Sequence, residues 1–70
     1  MRDFYGKTYR YNYRTIGVCN TLTDGVYMIA YPTTGGHKRM KGLPLFGSKE
    51  EAQKALDEFA RAKMLPEVRG

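Results

Sequence analysis

The segment that most constrains the fold lies near the C-terminal end and carries the signature of a single capped helix. Ser48-Lys49-Glu50-Glu51 has the pattern of a capping box, in which the Ser48 hydroxyl accepts the Glu51 amide and the Glu51 carboxylate reaches back to the Ser48 amide. Apolar residues then recur at the spacing of one helix face, and Pro66 prevents the helix from running on. These apolar residues are Ala52, Ala55, Leu56, Phe59 and Ala60. The pattern predicts one amphipathic helix over residues 49–64.

The chain before this helix has the pattern of short strands separated by turns. Asp24-Gly25 lies between the apolar runs 16–22 and 26–31, which predicts a hairpin because Gly accepts the positive φ that the turn needs. A loop at 32–36 leads to a third extended segment, 37–46, in which Pro44 indicates a sheet edge or an exit from the sheet. We therefore predict an α+β fold, β-β-β-α, in which a three-stranded antiparallel sheet packs on one C-terminal helix.

The length of 70 residues supports one domain with one small core. We expect a single domain over residues 1–70, with loose ends at residues 1–8 and 67–70. Because one helix covers only one face of a three-stranded sheet, the uncovered face is expected to carry some exposed aromatic residues.

Side-chain alternation divides the stretch YRYNYR, residues 9–14, into two faces. One face carries Tyr9, Tyr11 and Tyr13, and the other carries Arg10, Asn12 and Arg14. Ile16 and Val18 have the opposite parity to the tyrosines, so either a bend falls near residues 14 and 15 or the two groups occupy opposite faces. Burying the arginines would leave charges poorly solvated. We therefore expect the tyrosines to pack on the helix and the polar triplet to face a partner.

The formal net charge of +5 is located outside the predicted helix. The helical segment 49–64 holds four cations and four acids, whereas residues 7–41 hold six cations and one acid, Asp24. We expect a basic sheet face formed by Arg10, Asn12, Arg14, Lys38, Arg39 and Lys41. Such a surface attracts phosphates or an acidic protein surface, and interleaved tyrosines can stack on bases or pack into a partner.

The sequence gives little sign of an enzyme, a cofactor or a metal site. His37 is the only histidine and is expected to be a solvent-exposed turn residue, while Cys19 is the only cysteine and is expected in a strand. One cysteine forms no internal disulfide, which favours a cytoplasmic location. The longest apolar run, residues 26–31, is too short for a membrane span, so no membrane partner is expected.

Several of these motifs together resemble the arm-type N-terminal DNA-binding domain of phage and transposon tyrosine-recombinase integrases, a three-stranded sheet backed by one helix. The motifs are Tyr13-Arg14 in an early strand, Asp24-Gly25 at a turn, Lys38-Arg39 after a Gly-containing loop, and Phe46 with Ser48-Lys49-Glu50-Glu51-Ala52 and Leu56. The resemblance implies that the sheet face enters the major groove, with Tyr13, Arg14, Lys38 and Arg39 at the DNA. DNA is accordingly expected in preference to RNA.

A second hypothesis is a protein-interaction module. The chain also resembles, in size and style, the small single-domain proteins that phages and mobile elements use to block host proteins. Tyr27, Ile29 and Tyr31 have a composition suited to an interface, with Tyr27 and Tyr31 as its aromatic residues. Homodimerisation through an exposed sheet face or edge is a variant of the same hypothesis.

Overall fold

The computed structural model describes residues 4–68 and shows five strands and one helix. The elements are β1 (Tyr5–Tyr11), β2 (Arg14–Asn20), β3 (Tyr27–Thr33), β4 (Gly36–Arg39), α1 (Lys49–Lys63) and β5 (Glu67–Val68). All strands belong to one antiparallel sheet in the order β4-β3-β2-β1-β5. The predicted α+β fold with an antiparallel sheet and a helix near the C-terminal end is confirmed, but the sheet has five strands and not three.

One of the unpredicted strands arises from a tight turn inside the aromatic stretch. Asn12 and Tyr13 have φ values of 50° and 65°, and the flanking Tyr11 and Arg14 are paired. Positive φ at both central residues is the geometry of a two-residue type I′ hairpin, whose twist matches that of the flanking strands. The change of parity before Ile16 is therefore caused by this turn at residues 12 and 13, and not by a bend at residues 14 and 15.

The other unpredicted strand follows the helix. Thr8 pairs with Val68, Tyr9 pairs with Glu67, and the Arg10 amide donates to the Pro66 carbonyl at 3.0 Å. The expectation of loose ends is thus wrong for residues 5–8 and 67–68, because strand pairing orders both segments. Residues 1–3 and 69–70 lie outside the described part of the chain.

The predicted hairpin turn is present, whereas the third extended segment differs from its prediction. The Asp24-Gly25 turn joins β2 to β3, with Gly25 at a φ of 79°. The third extended segment divides: β4 ends at Arg39, and the chain then turns at Gly42 before Phe46 exchanges two backbone hydrogen bonds of 2.8 Å with Tyr27.

The helix begins where the sequence predicts and ends one residue earlier. The Ser48 hydroxyl accepts a hydrogen bond from the Glu51 amide at 3.1 Å, as the capping box predicts. The Glu51 carboxylate was expected to accept from the Ser48 amide, but its Oε1 accepts from the Ser48 hydroxyl at 3.3 Å. Met64 closes the helix in the left-handed conformation, with a φ of 57°. Along residues 4–68, no helix combines the length and apolar character needed to cross a bilayer.

The helix packs on one face of the sheet and forms the core there. The fully or nearly fully buried members of this core are Ile16, Val18, Ile29, Met40, Ala52 and Leu56. Tyr9 and Tyr11 border them, which confirms that these two tyrosines pack on the helix, but Tyr13 lies in the turn. β3 also places Tyr27 and Tyr31 on this face, and the Phe4 ring on the uncovered face is half-buried. The expectation of exposed aromatic residues on the uncovered face is therefore wrong for residues 4–68.

The opposite, open face of the sheet has small residues at its centre. Gly17 pairs with Ala30, and a Cβ on Gly17 would lie 2.7 Å from the Phe4 ring. That ring also meets His37 edge to face, with ring centroids 5.2 Å apart. His37 is therefore a half-buried strand residue and not the solvent-exposed turn residue expected.

Candidate functional site

The predicted basic residues of the first two strands lie on opposite faces of the sheet. Arg10 is paired with Thr15 on the open face, whereas Arg14 is paired with Tyr11 on the helix side. Asn12 belongs to the turn between them. The expectation that these three side chains share one face is wrong, because the turn at Asn12 and Tyr13 returns the chain before Arg14.

The second group of predicted basic residues is divided in the same way. Lys38 pairs with Tyr31 on the helix side, while Arg39 pairs with Ala30 on the open face. Arg39 Nη1 donates to the Leu43 carbonyl at 2.8 Å, which ties this arginine to the loop after β4. Lys41 is exposed in the turn that follows. Of the predicted set, the open face thus keeps only Arg10 and Arg39.

Some of these cations meet at a cleft on the helix side, which we call the basic cleft. It has a volume of about 320 Å³ and lies between the β1–β2 hairpin, the end of β3 and the last turns of the helix. Its lining residues are Tyr11, Arg14, Tyr31, Met40, Lys41, Phe59 and Lys63. The cleft therefore brings together three predicted residues, Arg14, Lys41 and Tyr31.

The side chains of the basic cleft are ordered by contacts with one another. Arg14 Cζ lies over the Tyr31 ring, 4.3 Å from its centroid, a distance at which the cation is attracted to the ring face. Tyr11 and Phe59 meet edge to face at 5.4 Å, with an interplanar angle of 78°, the favoured arrangement of two aromatic rings. The cleft thus combines half-buried aromatic rings with the exposed side chain of Arg14.

Charge distinguishes the basic cleft from other cavities of the described chain. Its lining includes three cations and no carboxylate. Three other cavities each include a carboxylate: Asp57 lines one of about 510 Å³ beside Lys7 and Arg61, and Glu50 lines the two others. Uncompensated cations in a concave site raise the local concentration of anions. The basic cleft is thus suited to an anionic ligand with a flat apolar part.

The tip of the hairpin beside this cleft holds a strained and exposed aromatic residue. Tyr13 is 96% exposed although its φ is 65°. A left-handed conformation costs a residue with a Cβ about 1 kcal/mol, and Gly is the usual solution at this position of the turn. Tyr13 lies between Asn12 and Arg14, and the two residues that close the hairpin, Tyr11 and Arg14, both line the basic cleft.

The aromatic residues predicted for a protein interface do not form an exposed patch. Ile29 is fully buried in the core, and Tyr27 and Tyr31 are half-buried on either side of it. Tyr27 meets Tyr5 edge to face at 6.1 Å, and Tyr31 lies under Arg14. Each of these two rings therefore already contacts a residue of the same chain.

One further polar contact joins the sheet to the helix. Tyr9 Oη donates to Asp57 Oδ1 at 2.7 Å, and Gln53 Nε2 donates to the same oxygen at 2.9 Å. The hydrogen bond to Asp57, burial and the Asp57 charge raise the pKa of Tyr9 to about 12. Tyr9 therefore stays a neutral hydrogen-bond donor. This role fits a contact that stabilises the fold and does not fit a general base.

Four members of the basic cleft were not among the predicted site residues, namely Tyr11, Met40, Phe59 and Lys63. The helix has equal numbers of acids and bases, which conceals that Lys63 lies four residues after Phe59 and hence on the same side. That spacing is the signal by which Lys63 could have been found.

Within residues 4–68, no three side chains of His, Cys, Asp or Glu form a group that could hold a metal ion. Comparisons with protein-family models, curated proteins and solved structures give no match for this chain. The likeness to the integrase domain therefore remains a prediction.

Proposed function

We propose that this chain is a small, non-enzymatic module that binds nucleic acid through the basic cleft. The observation that supports it is the convergence of Arg14, Lys41 and Lys63 around aromatic rings, with no carboxylate among the lining residues. Lysine and arginine neutralise phosphates, and aromatic or guanidinium surfaces stack on bases. The proposal includes a cytoplasmic location, which the single cysteine favours.

The basic cleft is a better candidate than the sheet face expected from the sequence. On the open face, Arg10 and Arg39 belong to β1 and β4, with β2 and β3 between them, and Phe4 occupies part of the centre. Two separated charges give a weak field, and Arg39 is already bonded to the Leu43 carbonyl. The helix side gathers three cations within one recess.

The proposal is tested by titrating a labelled oligonucleotide with the protein at several salt concentrations. We expect the logarithm of the affinity to fall linearly with the logarithm of the salt concentration. Lys41→Gln and Lys63→Gln should each reduce that slope by about 0.7 to 0.9, the value for one lost phosphate contact. Lys54→Gln removes the same charge from the outer helix face and should leave the slope unchanged.

Two results would count against the proposal. The first is no binding of any oligonucleotide at low ionic strength. The second is an equal effect of Lys54→Gln and Lys63→Gln on the slope, because this would show a general response to net charge and no role for the cleft.

A further inference from the structure

We propose that the basic cleft accepts an unpaired base with its flanking phosphates, so that the chain selects single-stranded over duplex nucleic acid. This inference rests on the proposed binding function and specifies its ligand. Two independent observations carry it: the Arg14 guanidinium over the Tyr31 ring, and the exposed, strained Tyr13 at the hairpin tip.

The pair of Arg14 and Tyr31 is the first surface available to the face of a base. Arg14 lies over the Tyr31 ring at 4.3 Å and is itself exposed, so its side chain is accessible to a third flat group. Guanidinium planes and aromatic rings are the surfaces on which proteins stack unpaired bases. In a duplex both faces of each base are covered by neighbouring pairs, and only edges and backbone are accessible.

The size of the basic cleft points to the same ligand. A volume of about 320 Å³ is at the lower end of small-molecule pockets. It suits a single base and is too small for the paired strands of a double helix. Lys41 and Lys63 belong to this lining and come from the turn after β4 and the end of the helix. A base in the recess would therefore have cations available for its flanking phosphates.

Tyr13 supplies a second stacking surface. Its ring is 96% exposed, so packing within the chain does not offset the strain of its positive φ. Strained backbone at an exposed position is typical of functional sites. The hairpin displays the Tyr13 ring next in sequence to Arg14, where it can stack on a base adjacent to the one in the cleft.

The test compares one oligonucleotide sequence as single-stranded DNA, single-stranded RNA and duplex DNA, by fluorescence anisotropy at fixed low salt. We expect at least one single-stranded form to bind about tenfold more tightly than the duplex. Arg14→Lys keeps the charge but removes the planar group, and Tyr13→Gly removes the ring. Each should weaken single-strand binding about fivefold or more, and should weaken single-strand binding more than duplex binding.

A matched control separates the lost Tyr13 ring from a change in folding. Met64 is also an exposed apolar residue at positive φ, and it lies outside the basic cleft. Met64→Gly and Tyr13→Gly should both stabilise the fold by relieving strain. Only Tyr13→Gly should weaken binding. The Tyr13→Gly variant should therefore be more stable than the native chain and still bind single strands less tightly.

The outcomes separate this inference from the proposed function. Equal binding of single strands and duplex would overturn the inference and leave the proposed function standing. A single-strand preference that survives both Arg14→Lys and Tyr13→Gly would also overturn it, because the preference would arise elsewhere. Absence of binding to all three forms would remove the proposed function and the inference with it.

Discussion

The hydrogen bond from Tyr9 to Asp57 is a contact of two side chains that joins a strand to the helix at 2.7 Å. Tyr9→Phe removes the donor while keeping the ring against the core, and Gln53 remains as a partner of the carboxylate. We expect the variant to lose about 1 kcal/mol of unfolding free energy, the usual net value of such a bond. Urea denaturation at neutral pH measures the difference. An unchanged midpoint would mean that the bond is replaced by water at no cost.

The same pair predicts a pH dependence at the alkaline end. The bond to Asp57, together with burial, raises the folded-state pKa of Tyr9 from 10.0 to about 12. A group whose folded pKa is raised contributes its stability fully below the unfolded value and loses it as pH rises through the folded value. The contribution of Tyr9 should therefore disappear between pH 10 and pH 12. Denaturation midpoints of the native chain should converge on those of Tyr9→Phe across this window, and parallel curves would contradict the assignment.

Gly17 is required by a close approach and not by its backbone angle. A Cβ there would lie 2.7 Å from the Phe4 ring and 2.8 Å from Thr8 Cγ2. Gly17→Ala should therefore cost about 1 to 3 kcal/mol, the usual penalty for overpacking. The loss should be smaller when Phe4→Ala is also present, which a double-mutant cycle of urea denaturation curves can measure. Additive losses would show that Phe4 does not press on this position.

At the scale of the secondary-structure elements, the two ends of the helix differ in how far the sequence predicts them. The start was predictable because Ser48 and Glu51 form a local sequence pattern. The hydrogen bond that this pattern predicts, from the Glu51 amide to the Ser48 hydroxyl, is present in the structure. The end was predicted one residue late, because Met64 gives no signal for the left-handed conformation that it adopts. Glycine is the residue that usually marks this position.

Met64→Gly should accordingly stabilise the protein. The residue has a φ of 57° and is 88% exposed, so the substitution removes strain and little packing. We expect a gain of about 1 kcal/mol in unfolding free energy, measured by thermal or urea denaturation. Met64→Ala, which keeps a Cβ, is the control and should give no such gain.

The number of strands was underestimated for a related reason. The turn at Asn12 and Tyr13 has the shape of an Asn-Gly hairpin but carries tyrosine where Gly is usual, so its strongest local signal is missing. The change of parity before Ile16 was the remaining sign of this turn in the sequence. A bend within one strand would produce the same change of parity. Strand β5 has only two residues, too few for any alternating pattern.

The candidate site was predictable as a set of residue types but not as an arrangement. Arg14 and Lys41 were identified from local charge, yet whether they meet depends on the register of β1 with β2 and on the path after β4. Phe59 and Lys63 reach the same cleft from the helix, far along the chain. Such convergence is a property of tertiary packing, and composition alone does not determine it.

At the scale of the whole molecule, β5 completes the sheet by covering the edge of β1. Its pairing joins Thr8 to Val68, across 60 positions of sequence. Removal of residues 67–70 should expose the β1 edge, which lowers stability by about 1 to 2 kcal/mol and promotes pairing between copies. Denaturation and sedimentation measure the two effects. Glu67→Ala, which keeps the strand, is the control, and a truncated chain that stays monomeric and equally stable would contradict the prediction.

The β1–β5 seam also determines how the molecule responds to force. The two strands are antiparallel neighbours, so the start of β1 and the end of β5 lie at the same end of the sheet. Tension applied between the start of β1 and the end of β5 loads the cross-strand bonds one after another, from Val68 towards Pro66, and never all together in shear. The seam should therefore peel open at low force, even where the rest of the fold withstands denaturant.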